Sequence, residues 1–400
     1  MSTWTYCATD LLTGQVLADT LPLSVQSFSK NLNGSGTLTG SLLLKADYRS
    51  NLPFIRALDC RRAVLWALAD GYPVWAGIQW DWPDMSRSSG SLPISAQTID
   101  SLWGKRLITD TLQYQGVELY SAFTDLLNYG LTKHSPYITS DSPAATRNPA
   151  YLAMVATQGR VARLVLPTPG NSGQSWTAGY AYSDLAAVSS AWNDMCASGN
   201  LEFYFDPGLG PDGKTLCIYL RLGYIALGRP LTDSGLTLTF PGNCTDYGYT
   251  VTGSQSSNMI WATAPPNGST ENWMSAYPHG ADLSDLASYP LLESTSTWQG
   301  STVTEQAQVD SYADGQVALT TAGMTTPVVN VGGGGWPSAK DIQPGDAAYL
   351  VLTSQLHPPG PAGEPGLEQE VRVTGITVYP SGGSQSEYYQ LTTSAVTAAA

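Results

Sequence analysis

The sequence predicts a mainly β chain with α+β character: two small β-barrels separated by an α+β domain, the second barrel carrying a helical insertion. Three observations predict it. Apolar and polar residues alternate with period two near both ends of the chain, as half-buried strands require. The middle holds two stretches with apolar residues on a single helical stripe. Composition agrees: 42% hydrophobic and 10% aromatic residues against only 12% charged, with 40 Gly and 26 Pro to turn the chain. Disordered chains are poor in aromatics and rich in charge, so most of this one folds. At roughly 100–200 residues per domain, a chain of 400 residues holds about two to four. The boundaries fall at 1–105, 106–235 and 236–400, with the insertion at about 283–335.

In the first domain, Thr5–Asp10 and Gln15–Asp19 flank Leu11-Leu12-Thr13-Gly14, a hairpin turn. Phe28, Leu32, Leu38, Leu42 and Leu44 take even positions around Asn33-Gly34-Ser35-Gly36, which buries one face of a second hairpin. Asn51–Leu58 reads as one short helix. Arg62–Ala69 and Tyr72–Trp80 flank Asp70-Gly71, a strong signal for a tight hairpin. A polar turn at Met85–Ser91 precedes a last strand, Leu92–Ile99. About six strands and one helix suit a small closed barrel.

In the second domain, Gln115–Leu131 carries Leu119, Phe123, Leu126 and Leu127 on one helical face, with Gly130 near its end. Residues 132–180, rich in Pro, Ser, Thr and Gly, read as irregular apart from a strand at Val161–Leu166. Ser183 is expected to cap a helix through about Ser198, with Leu185, Val188, Trp192 and Met195 on its stripe. Strands at Leu201–Asp206 and Thr215–Leu222 follow. In the third domain, Leu236–Phe240, Tyr247–Thr252 and Met259–Thr263 alternate until Pro265-Pro266-Asn267-Gly268. Within the insertion, Thr302 and Glu305 form a capping box ahead of a helix carrying Val309, Tyr312, Ala313 and Val317. Gly332-Gly333-Gly334-Gly335 reads as a flexible joint. Tyr349–Leu356, Gln369–Val378 and Glu387–Thr393 then complete the barrel begun near residue 236.

The chemistry is mostly exclusion. Eighteen Lys and Arg face 32 Asp and Glu, a net charge of −14 that repels phosphate and argues against a nucleic-acid-binding face, though not against a passive conduit for DNA. No stretch reaches the ~18 apolar residues of a membrane helix. The opening Met1–Tyr6 lacks the basic region and apolar core of a secretory signal, so the Asn-X-Ser/Thr matches at Asn33, Asn243 and Asn267 read as turns. Cys7, Cys60, Cys196, Cys217 and Cys244 include no CxxC pair, and His134, His279 and His357 are scattered; buried free thiols are expected rather than zinc.

Gly208–Thr215, with Lys214, fits both the P-loop and GxGxxG patterns. Both need a helix next, whereas Leu216–Leu222 alternates like a strand, and Pro211 has no amide for phosphate; a hairpin tip is expected. Asp81 and Asp84 flank Trp82-Pro83 and, with Trp75 and Trp80, outline a sugar-binding wall. A glycosidase needs facing carboxyls about 5–10 Å apart; the expectation is that Trp75 and Trp80 pack in or on the barrel while Asp81 and Asp84 sit in a turn. GxSxG and HExxH are absent. Pro358–Gly366 spells three Gly-X-Y triplets, too few to hold a triple helix, so a polyproline II loop is expected; a meeting of three such loops on a threefold axis is the sharper alternative. No catalytic, cofactor-binding or metal-ligating residue is assigned.

The opening has a family likeness. Tyr6-Cys7-Ala8-Thr9-Asp10-Leu11-Leu12-Thr13-Gly14, Leu21-Pro22-Leu23, Phe28–Asn33, Gly36–Leu42, and Ala63–Trp66 with Val74–Ile78 follow in an order that resembles the minor tail proteins of long-tailed (siphovirus) phages infecting actinobacteria. Asp341–Asp346 and Glu370–Val373 resemble that family's last barrel. The family is similar to the baseplate hub of contractile-tailed phages and to the type VI secretion spike. The resemblance implies a structural tail-tip hub of the virion without catalysis. It implies a homotrimer whose two barrels per chain make a ring of six, joining a sixfold tail to a threefold tip around the DNA exit channel. The implied partners are copies of itself, the distal tail protein, the tape measure protein, and other tail-tip or receptor-binding proteins. DNA would pass without specific binding, with no cofactor and no membrane insertion. Other readings stay open: a host cell-wall carbohydrate-binding or glycan-hydrolysing tail protein using the Trp75–Asp84 stretch, a nucleotide-binding enzyme using Lys214, and a hexameric distal tail ring.

Overall fold

Alternation and tight turns build the first set of strands. β1 (Trp4–Asp10) turns at Gly14, where φ is +70°, into the short β2 (Val16–Ala18). β3 (Leu23–Asn31) and β4 (Thr37–Leu43) form the hairpin expected around Asn33-Gly34. Phe28, Leu38 and Leu42 are buried inside it, whereas Leu44 falls past the end of β4 and is exposed. α1 (Tyr48–Ala57) opens on the Asp47 carboxylate, which accepts the Arg49 N–H, and ends where the Leu58 N–H reaches back to Phe54 O. β5 (Ala63–Ala69) and β6 (Tyr72–Asp81) join through Asp70 and Gly71, both at positive φ as a type I′ turn requires. β7 (Ser91–Thr98) follows. The computed structural model describes residues 2–45, 47–83, 90–140, 149–167, 170–199, 201–224, 226–252, 257–264, 273–274, 290–297, 306–320, 324–333, 335–380 and 386–395. Asp84, most of the expected 85–91 turn, Pro265–Gly268, Thr302 and Glu305 lie outside these residues.

The middle of the chain is more regular than its composition suggests. It runs β8 (Thr111–Glu118), α2 (Leu119–Thr132), β9 (Ile138–Ser140), α3 (Pro149–Gln158), β10 (Leu164–Val165), β11 (Ser175–Tyr180), α4 (Val188–Gly199), β12 (Leu201–Leu209) and β13 (Leu216–Tyr224). The helix expected from Gln115 begins at Leu119, because residues up to Glu118 pair as a strand with β11 and the Glu118 carboxylate caps the helix through the Ser121 N–H. Ser183 caps nothing: its hydroxyl donates to Asp184 in a one-turn 3₁₀ segment, and Leu185 stands exposed in the left-handed region at φ +46°. Val188, Trp192 and Met195 do form the buried stripe of α4.

After the short α5 (Leu231–Ser234), the third region contributes β14 (Leu236–Phe240), β15 (Cys244–Thr252), β16 (Met259–Ala264), β17 (Trp273–Met274), β18 (Glu293–Thr297), α6 (Gln306–Thr320), β19 (Met324–Gly332), β20 (Ala347–Leu352), β21 (Leu367–Tyr379) and β22 (Tyr388–Ala395). β16 was expected in the barrel but belongs to a separate three-stranded sheet with β17 and β18. β19 falls within the stretch expected to be helical; it pairs with β15 and β22, so Gly332 ends a strand rather than starting a free joint. β20 stops at Leu352, not Leu356. The Gly-X-Y loop is a closed turn, held by Gly360 N–H to Glu364 O at 2.8 Å and by Gly363 at φ +89°, rather than an extended run.

Two sets of six strands result. The first is ordered β1-β5-β6-β7-β4-β3, with β2 flanking β1; the Leu21 N–H donates to Tyr6 O and draws the start of β3 back toward β1. The second is ordered β14-β20-β21-β22-β19-β15. The sequence reading kept the two sets apart. They are instead joined edge to edge in one 13-stranded sheet, because Gly375–Val378 of β21 pairs antiparallel with Phe28–Asn31 of β3. One core fills both sets, from Phe28, Leu38 and Trp75 to Leu350, Val373 and Leu391. A second core lies between the outer side of β1, β5 and β6 (Cys7, Val64, Trp66, Ile78) and Phe123, Trp192 and Phe203 of the α+β region, joined by Val309 and Ala313 of α6.

Candidate functional site

The feature that positions everything else is the joint between the two sets, and it rests on a repetition. Numbered by their order along the chain, the strands of each set lie first-fourth-fifth-sixth-third-second. The likeness extends to register. In the first set the ladder between the fifth and sixth strands slips between Gln79 and Asp81; in the second it slips between Val373 and Gly375. A residue at positive φ two places before the fourth strand closes the fifth strand in both: Arg61 N–H to Gln79 O and Gly345 N–H to Val373 O, each 2.7 Å. A bulge is a specific device for re-aiming a strand, so its recurrence at one position marks the two sets as equivalent. They differ at their first strands: β1 is antiparallel to β5, but β14 is parallel to β20.

β21 is long enough to serve two partners along one edge. Leu367–Arg372 pairs with β20, and beyond the bulge Gly375–Val378 pairs with β3. Around this crossing the α+β region contributes β12. Asn33 and Phe203 lock reciprocally: the Asn33 N–H donates to Phe203 O at 3.0 Å, and the Asn33 side-chain Oδ1 accepts the Phe203 N–H at 2.8 Å. Arg372 reaches across from β21, giving both terminal nitrogens to Glu202 of β12, one of them also to Leu227 O, and its Nε to Gly345 O at 3.1 Å. Glu202 also accepts the Leu227 N–H at 2.6 Å. Next to it Arg229 grips the fully buried Asp346 through three nitrogens, the shortest bond being 2.6 Å, and Tyr204 OH donates to Gln343. Charge-assisted, two-pronged bonds of this kind fix geometry as well as energy.

Lys30, next to last in β3, lies within the joint. Burial pushes its ammonium pKa down, and the nearby Asp206 and Asp346 pull it back up. Burial likewise raises the Asp100 carboxyl, against a hydrogen bond from Ser35. Lys30, Asn31, Thr98, Asp100 and Phe203–Phe205 line a small cavity with room for about one water. It is too small for a substrate.

The segments that looked chemical in the sequence are used structurally. Lys214 sits on the β12–β13 hairpin, whose tip is tied by the Asp212 carboxylate accepting the Lys214 and Thr215 N–H groups and the Thr215 hydroxyl. Trp75, fully buried, donates to Ser29 O; Trp80 donates to Ser101; Trp82 donates to Leu58 O. Their indoles face inward, and Asp81 stands exposed outside them. All five cysteines are free thiols, with Cys7, Cys217 and Cys244 buried. Among the described residues no group of three or more His, Cys, Asp or Glu could hold a metal ion, and no helix is long and apolar enough to cross a membrane. The joint itself was missed in the sequence, although Asp341–Asp346 and Glu370–Val373 supply half of it.

No family model matches the chain, and no curated protein matches it. Solved structures do. The chain is similar over its whole length to a tail protein from Neisseria meningitidis MC58 (13% identity, TM-score 0.55, covering 98% of this chain and 97% of that one). It is similar to a 43 kDa tail protein of prophage MuSo2 from Shewanella oneidensis (9%, 0.56, 98% of both). It also matches the lidded PdpA–VgrG complex of Francisella (8%, 0.52, 99% of this chain and 53% of that one). At these identities what is shared is the fold, a mainly β fold found in phage tail proteins and in the PdpA–VgrG complex.

Proposed function

We propose that this chain is a structural protein of a phage tail, a hub whose two six-stranded sets act as equivalent blocks of a ring. The observation that carries the reading is the repetition of strand order, bulge and closing bond in both sets. Two equivalent blocks in one chain let three copies present six, which is the geometry needed to join a sixfold tail to a threefold tip. The proposed units are 1–105, 106–235 and 236–400. The ring would surround the DNA exit channel of the virion tail tip, where a chain of net charge −14 would not trap DNA. Its partners would be its own copies, the distal tail protein, the tape measure protein and other tip proteins. This reading assigns no catalytic residue.

The test is the mass and the averaged electron-microscope image of the assembled protein. Three chains in a ring with six similar lobes are expected. Six chains in a ring would replace the hub with a distal tail ring. Release of reducing ends from purified cell wall would replace it with a glycan hydrolase.

A further inference from the structure

The joint inside the chain predicts the joint between chains. Equivalence of the two sets can be carried residue by residue through their ladders. Asp81 of β6 takes the place of Gly375 of β21, since each is the first paired residue after the bulge. Asp81 faces Ser95, which faces Thr39, which faces Ser27. Gly375 faces Thr392, which faces Val328, which faces Gly248. So Ser27 of β3 corresponds to Gly248 of β15, and Phe28–Asn31 corresponds to Tyr249–Thr252.

Within the chain, the second set's fifth strand pairs with the first set's second strand, through Gly375–Val378 and Phe28–Asn31. Among the described residues the converse pair, the first set's fifth strand and the second set's second strand, is unused. β15 pairs along its length with β19, and among the described residues Tyr249–Thr252 has no strand on its other edge. Asp81 pairs with Ser95 on one side, while β5 has already ended on the other. The Asp81 carbonyl accepts from the Gln79 side chain, at 2.6 Å, and among the described residues it pairs with no second strand. Two open edges of matching register are templates for pairing.

We propose that Asp81–Pro83 of one copy pairs antiparallel with Thr250–Thr252 of a second copy, Asp81 opposite Thr252 and Trp82 opposite Val251. The contact is head to tail: each chain offers one edge of each kind, so the 13-stranded sheet continues from copy to copy. It rests on the ring reading above and names the surfaces that would form the ring.

Directly opposed residues of an antiparallel pair have Cα atoms about 4.5–5.5 Å apart, within the span of a disulfide. Asp81 and Thr252 are therefore replaced by cysteine together, in a Cys60→Ser background because Cys60 lies near Asp81. The protein is concentrated, oxidised and run on a non-reducing gel, with native mass measured alongside. Two- and three-chain species that vanish on reduction, and that neither single-cysteine variant forms, are the expected result. Association by native mass without the cross-link overturns this ladder and leaves the ring. Absence of both association and cross-link overturns the ladder and the ring together.

Discussion

Removing Arg372 should loosen the joint measurably. In Arg372→Met the two-pronged bond to Glu202 and the bonds to Leu227 O and Gly345 O all disappear. Glu202 keeps only the Leu227 N–H, and its side chain is 14% exposed beside an Arg372 that is 17% exposed. Breaking a pair this sheltered leaves one charge without a partner, a loss of about 3–5 kcal/mol. Replacing both partners, Arg372→Met with Glu202→Leu, removes the stranded charge and should recover most of that. Urea unfolding of the parent, both single variants and the double variant closes the cycle. A single Arg372→Met within about 0.5 kcal/mol of the parent, where surface changes usually fall, would refute the claim that this pair holds the joint. Strictly additive losses in the double variant would refute the coupling.

Three further outcomes follow. Gly345→Ala places a methyl 2.0 Å from Leu227 O at a φ of +98°, so it should destabilise by at least about 1–3 kcal/mol on strain alone, read by thermal unfolding. Burial raises the Asp194 carboxyl to about 6. A raised carboxyl favours the folded state fully below its unfolded value near 4 and loses that contribution as pH climbs through 6. Asp194→Asn should therefore unfold later than the parent at pH 8 and show no such gain at pH 4; a pH-independent difference would contradict this. Lys214→Ala should stay within about 0.5 kcal/mol of the parent, and Mg-ATP should shift the melting temperature of neither, whereas a millimolar-range shift would revive a nucleotide site at the β12–β13 tip.

What the sequence disclosed was local. Asp70-Gly71 and Asn33-Gly34 announce their hairpins because the turn residues themselves dictate the backbone, and α6 is legible because Val309, Tyr312, Ala313 and Val317 share one stripe. The hairpin at Lys214 was legible for the same reason. β8 and β11 were not, since they pair with each other across two intervening helices and two short strands, and each alone looks like a polar stretch. Ser183 looked like a cap, but the left-handed Leu185 postpones the helix to Val188. The joint was hidden most completely. Asn31 and Gly375 come from opposite ends of the chain, and nothing near either residue says that they meet. Even Arg372 and Glu202 look like ordinary charges of a strand's outer face until both sets and β12 are in place.

A strand shared by two sets has a mechanical consequence. Load applied to either block passes through β21 into the other, so neither can peel away while its twin stays intact. Pulling on one end of the molecule should give a single rupture rather than two successive ones.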